Sequence, residues 1–184
     1  MIKNPSKLPL NRNSRAILRI LNEGLESSIP SVHLKKYILK NKIQISSSQI
    51  DLKKYNHVFL IAIGKSAGTM TEYVSKKIDF KNGIVVVPNG IVPKLNKSIF
   101  EIINAGHPLP NQNSFTAGRK LVSFLNGTTK NDFVVFLISG GGSALSVYPD
   151  SISLSDKILV NKKLIRSGAN INEISCIRKH LSLI

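Results

Sequence analysis

An open, largely parallel α/β sheet with helices on both faces is the fold class this 184-residue sequence predicts. Three observations lead there. Apolar runs such as 57–63 and 133–138 are continuous, unlike the period-2 alternation of strands exposed on one side. Helical patterns lie between most of these runs. Glycine or proline then stops each run, at Gly64, Pro88, Gly106 and Gly140. With 42% apolar residues, 6% aromatics and no Trp, the core rests on Ile, Leu and Val, which suit strands buried on both faces.

Taken in order, residues 1–13 read as a polar lead-in holding Pro5 and Pro9. Ser14 is positioned to cap a helix to about Ser27, with Ile17, Leu18, Leu21 and Leu25 at helical spacing. Pro30 suits the first turn of a second short helix running through Leu34, Ile38 and Leu39. Residues 41–56 read as a polar connection containing three serines in series. Buried strands follow at 57–63, 83–87, 100–105 and 133–138, with helices over 66–78 and from Asn111 or Asn113 to about Leu125. Ser153 and Asp156 have capping-box spacing ahead of a helix with Ile158, Leu159, Leu164 and Ile165 as its stripe, and Gly168 suits its stop. A last helix runs from about Asn172, with Ile174, Ile177 and Leu181 on one face.

The net charge of +16 is concentrated at the start, where residues 1–56 carry 11 Lys and Arg against 3 acids. No nucleic-acid signature accompanies it, because the cations are mostly Lys, scattered among Asn, Ser and Ile without interleaved aromatics. The reading is a solvated basic surface, with no specific nucleic-acid partner. Cys176 is the only cysteine, which leaves no internal disulfide and fits a reducing, cytoplasmic setting; its apolar surroundings suggest a buried structural thiol. No segment has the apolar length of a membrane span.

The chemistry gathers at strand ends. Gly64-Lys65-Ser66 resembles the end of a phosphate-binding P-loop, but the required earlier glycine is Phe59. A strand, a glycine turn, a lysine and a helix start still favour an anion, through amides, dipole and the Lys65 charge. Ser139-Gly140-Gly141-Gly142-Ser143 permits close backbone approach to an oxyanion or phosphate. Leu145 stands where both the dinucleotide fingerprint and the nucleophile elbow need glycine. His107, flanked by Gly106 and Pro108, is either a substrate-facing donor or acid/base, or a structural turn residue. Arg178-Lys179-His180 reads as a basic helix face unless other information intervenes. No His, Cys and carboxylate cluster has metal-ligand spacing, and Asp150 is the acid nearest the glycine run.

In chain order, the segments 63–68 (IGKSAG), 105–110 (AGHPLP), Ser114 with Ala117-Gly118, 139–145 (SGGGSAL), 166–169 (RSGA) and Glu173-Ile174 followed by 178–182 (RKHLS) resemble the glycerate 2-kinase family of MOFRL type. The likeness spans residues 14–182. It implies a Rossmann-like N-terminal domain over 14–184, with the active site in a cleft against a smaller C-terminal domain. It further implies ATP-dependent phosphorylation of D-glycerate on its 2-hydroxyl, with Mg²⁺. Lys65 matches the family's functional lysine. Gly140, Gly141, Gly142 and Ser143 match its glycine-rich binding loop, with Gly64, Ser66, His107 and Ser139 beside them. Arg178 and Lys179 match a shared motif.

The family chain is more than twice as long and continues past residue 182 with a Lys-Gly-Gly segment, where this sequence reads Leu183-Ile184. The expectation is therefore an incomplete kinase domain, inactive alone, whose metal ligands and base lie in a missing C-terminal part. A separate C-terminal subunit or a homo-oligomer is the expected partner. Two other readings stay open: a hydroxypyruvate reductase-type oxidoreductase, and a non-catalytic nucleotide- or anion-binding module.

Overall fold

The computed structural model describes residues 11–184. Most of the expected lead-in therefore lies outside the described residues. Asn11, not Ser14, opens the first helix: its side chain accepts from the Ser14 amide at 2.9 Å, and α1 runs Arg12–Ser27. Its apolar residues Ile17, Ile20, Leu21 and Leu25 are all exposed.

α2 (Pro30–Leu34) is shorter than the sequence suggested. Ile38 and Leu39 form a strand instead, and the polar connection is an antiparallel meander of β1 (Ile38–Leu39), β2 (Lys42–Ile45) and β3 (Ser48–Asp51). Leu39 pairs with Lys42 and Ile45 with Ser48, so each hairpin turns in two residues. Such turns need positive φ, which Asn41 (52°) and Ser46 (51°) supply. Asn41 also fastens the meander to the body: its side chain donates to Asp79 Oδ2 and accepts from the Asp79 amide.

The main sheet contains β4 (Val58–Ile63), β5 (Asn82–Pro88), β6 (Phe100–Ala105) and β7 (Phe133–Ile138), all parallel, in the order β6-β5-β4-β7. α3 (Ala67–Val74) links β4 to β5, and α4 (Gln112–Asn126) links β6 to β7. Leu60, Ala62, Val85, Val87 and Leu137 pack with α3 and the meander on one face. Ile61, Ile84, Val86 and Ile103 pack with Ala117 and Leu121 of α4 on the other. The chain builds outward from β4 to β6, then crosses back so that β7 lies beside β4. That reversal opens a crevice between the carboxyl ends of β4 and β7, the usual ligand position in such sheets.

Beyond β7 come a single-turn helix α5 (Gly142–Leu145), then α6 (Leu154–Arg166) and α7 (Ile171–His180). Asn170 and Glu173 close a capping box on α7, placing its start just ahead of the expected Asn172. α6 buries Lys157, Asn161 and Leu164, whereas Leu159 and Ile165 of the expected stripe are exposed. Cys176 is exposed too, against the expectation of burial, because α7 buries no residue completely.

Candidate functional site

The two glycine turns meet in the β4–β7 crevice and are bonded to each other. The Lys65 amide donates to the Gly140 carbonyl (2.9 Å) and the Ser66 amide to Ser139 Oγ (3.0 Å). Gly64 has φ +129°, and a Cβ there would collide with Ser139 Oγ. Only glycine lets the two turns close together. The amides of Lys65 and Ser66, expected to be free for an anion, are thus already engaged. What remains on this side is the exposed Lys65 ammonium and the start of α3, which carries no side-chain cap.

The second turn keeps its donors. Among the described residues, the amides of Gly140, Gly141, Gly142 and Ser143 have no acceptor. Backbone donors in that state are suited to an oxyanion and require little reorganisation to receive one.

His107 arrives from the loop after β6. Its ring lies against Gly141, where a Cβ would stand 2.9 Å from the ring Cδ2 and 3.1 Å from Nε2; Gly141 itself has φ +97°. The loop is held by the α4 capping box. Ser114 donates its amide to Asn111 Oδ1 (3.0 Å), and the Gly106 amide donates to Ser114 Oγ (3.1 Å) and Asn111 Oδ1 (3.0 Å). His107 therefore occupies a fixed place over the glycine loop.

Arg178 arrives from the last turn of α7. Its Nε donates to Asn161 Oδ1 (2.9 Å), and its Nη1 lies 3.5 Å from Ser143 Oγ. Lys179 lines the same cavity as Ser143. Gly64, Lys65, Ser66, His107 and residues 139–143 thus come together beyond the carboxyl ends of the strands, Arg178 reaches them through Ser143, and Lys179 reaches only the cavity beside Ser143. Sequence reasoning missed Lys157 and Asn161, which hold the end of α7. Lys157 Nζ donates to the Leu181 carbonyl at 2.7 Å, and desolvation, with Arg178 nearby, holds its pKa below the usual lysine value. A lysine four residues from an asparagine reads in sequence as a solvated face; the only hint is that both share a face with Leu164.

Cavities near His57 and along α4 are lined by residues away from these turns and join none of them. Among the described residues no group of three His, Cys, Asp or Glu side chains is placed to hold a metal ion, and Asp150 accepts only from Ser151 in side-chain bonding. Among them, too, no helix is long and apolar enough to cross a membrane.

A family model described as "Domain of unknown function (DUF4147)" matches residues 16–184. A glycerate 2-kinase from Pyrococcus horikoshii is 35% identical over 170 residues, covering 91% of this chain and 38% of that protein. A solved structure of a Pyrococcus horikoshii protein aligns with TM-score 0.80 at 32% identity, over 95% of this chain and 40% of that one. A solved Thermotoga maritima glycerate kinase gives TM-score 0.69 at 34% identity, over 90% and 38%. Proteins from Agrobacterium vitis bearing a hydroxypyruvate reductase name also match, over shorter stretches. The chain spans about two fifths of the length of the glycerate kinases it matches.

Proposed function

The chain belongs to the DUF4147 family, and on that premise we propose that it forms the glycine-loop wall of an ATP-dependent D-glycerate 2-kinase. The observation that carries the reading is the row of four amides at residues 140–143, unpaired among the described residues and set in the β4–β7 crevice beside Lys65, His107 and Arg178. Phosphoryl transfer needs positioning and charge neutralisation more than covalent participation by the protein. The amides hold phosphoryl oxygens, Lys65 offsets charge on the transferred phosphoryl group or the glycerate carboxylate, and His107 hydrogen-bonds what lies over Gly141. The names of the relatives support the reading.

The described residues do not provide a carboxylate set for Mg²⁺, so no step is assigned to the metal. In this proposal the metal ligands and the group that takes the 2-hydroxyl proton come from a C-terminal part, on the same chain or a separate subunit. The test joins this chain to the segment that follows in the Pyrococcus horikoshii relative and measures ADP release with ATP and D-glycerate. The expected result is glycerate-dependent ADP release yielding 2-phosphoglycerate. Turnover by the 184-residue chain alone at ordinary kinase rates would overturn the need for a second part. Oxidation of NADH by hydroxypyruvate, without ADP release, would favour the reductase reading instead.

A further inference from the structure

Behind the glycine loop, between α5, α6 and α7, lies a cavity of about 190 Å³. Its polar lining is Ser143, Ser146, Lys157, Ser175, Arg178, Lys179 and Ser182, completed by Ile171 and Ile184, and no Asp or Glu side chain is among them. Two observations distinguish it from an incidental gap. The Ser146 hydroxyl is the buried side-chain polar group without a hydrogen-bond partner among the described residues, and Ser146 is 8% exposed. A buried donor is rarely left unpaired, because its desolvation is not recovered without a partner.

The second observation is Lys157, which is 3% exposed and has no acid beside it among the described residues. Its ammonium donates to the Leu181 carbonyl at 2.7 Å and reaches the Arg178 carbonyl at 3.5 Å. Two of three protons are thereby accounted for, and one is unspent. Beside it the Arg178 guanidinium is fixed by Asn161 through Nε, with Nη1 towards Ser143. A buried ammonium is normally paired, and neither Lys157 nor the half-buried Arg178 has an Asp or Glu partner among the described residues.

We propose that this cavity is an oxyanion subsite, taking the carboxylate or phosphate group of a small ligand onto the Ser146 hydroxyl, Lys157 and Arg178. The proposal shares Ser143 and Arg178 with the kinase reading but rests on the Ser146 hydroxyl and Lys157, which that reading does not use.

The test titrates the 184-residue chain with inorganic phosphate and, separately, with D-glycerate, following amide chemical shifts. About 0.15 M sodium chloride screens non-specific attraction to the +16 net charge. The expected result is saturable binding of at least one anion, with the largest shifts at Ser143, Ser146 and Arg178. Ser146→Ala, which keeps the core packed, weakens it about tenfold, as loss of a hydrogen bond to a charged group does. Phosphate alone assigns the subsite to a phosphoryl group, glycerate alone to a carboxylate, and competition between them to both. Unchanged binding in Ser146→Ala, shifts confined to 64–66, or no binding of either anion at about 20 mM would overturn the proposal. Lys157→Met should abolish binding where it folds; where it does not, Ser146→Ala still decides.

Discussion

Lys65 stands on a turn whose own amides are already engaged, so its ammonium is what it offers an anion. On the proposed kinase reading, Lys65→Ala in the joined form should therefore lower turnover at least tenfold in the ADP-release assay, about 1.4 kcal/mol of lost transition-state stabilisation. Near-wild-type kinetics would remove Lys65 from the mechanism. Gly64 sits at φ +129° against Ser139. Gly64→Ala costs on the order of 1–3 kcal/mol through backbone strain, and the collision with Ser139 Oγ also parts the two turns. The expected outcome is a lower thermal midpoint and, on the proposed kinase reading, loss of ATP binding by the joined form, read by scanning calorimetry and titration. Both residues were legible in the sequence, because a glycine that stops an apolar run, with a lysine directly after it, marks a strand-to-helix turn bearing a cation. Lys157 was not, because burial of a lysine depends on where a later helix docks.

At the scale of elements, the four strands of the main sheet were legible because each is six or seven residues long, largely apolar and stopped by glycine or proline. The meander was not. Its strands span two to four residues, too few for a periodicity, and of its three serines Ser46 and Ser47 form the turn while Ser48 begins β3. α5 is a single turn inside the glycine loop and likewise leaves no pattern. The start of α4 combines local and long-range work: Asn111 Oδ1 accepts from the amides of both Ser114 and Gly106. Asn111→Ala should lower stability by about 1–2 kcal/mol, the upper part of the range for a lost N-cap. Urea denaturation checks this, and broadened His107 ring resonances should accompany it as the loop loosens.

For the whole molecule, the amino edge of the sheet carries its own electrostatic anchor. The Asp132 carboxylate is held below its ordinary value of 3.8, first by the Thr129 amide and hydroxyl and then by His57, while desolvation opposes. A carboxylate depressed in the folded state contributes stability above its unfolded pKa, and that contribution is lost as pH falls through the folded value. The urea midpoint should accordingly drop on acidification from about pH 5 to about pH 3, and drop less in Asp132→Asn. The β4–β7 pairing has a kinetic side as well. Val58 pairs with Phe133, so the seam that gathers the glycine turns closes only once a long stretch of chain, α4 included, has been brought round. Pairings of that separation are slow, because loop closure must precede any contact that rewards it. Ligand-binding competence should thus emerge late in refolding, after the β4–β5–β6 unit has formed, and pulse-labelled hydrogen exchange would show the amides of β7 protected last.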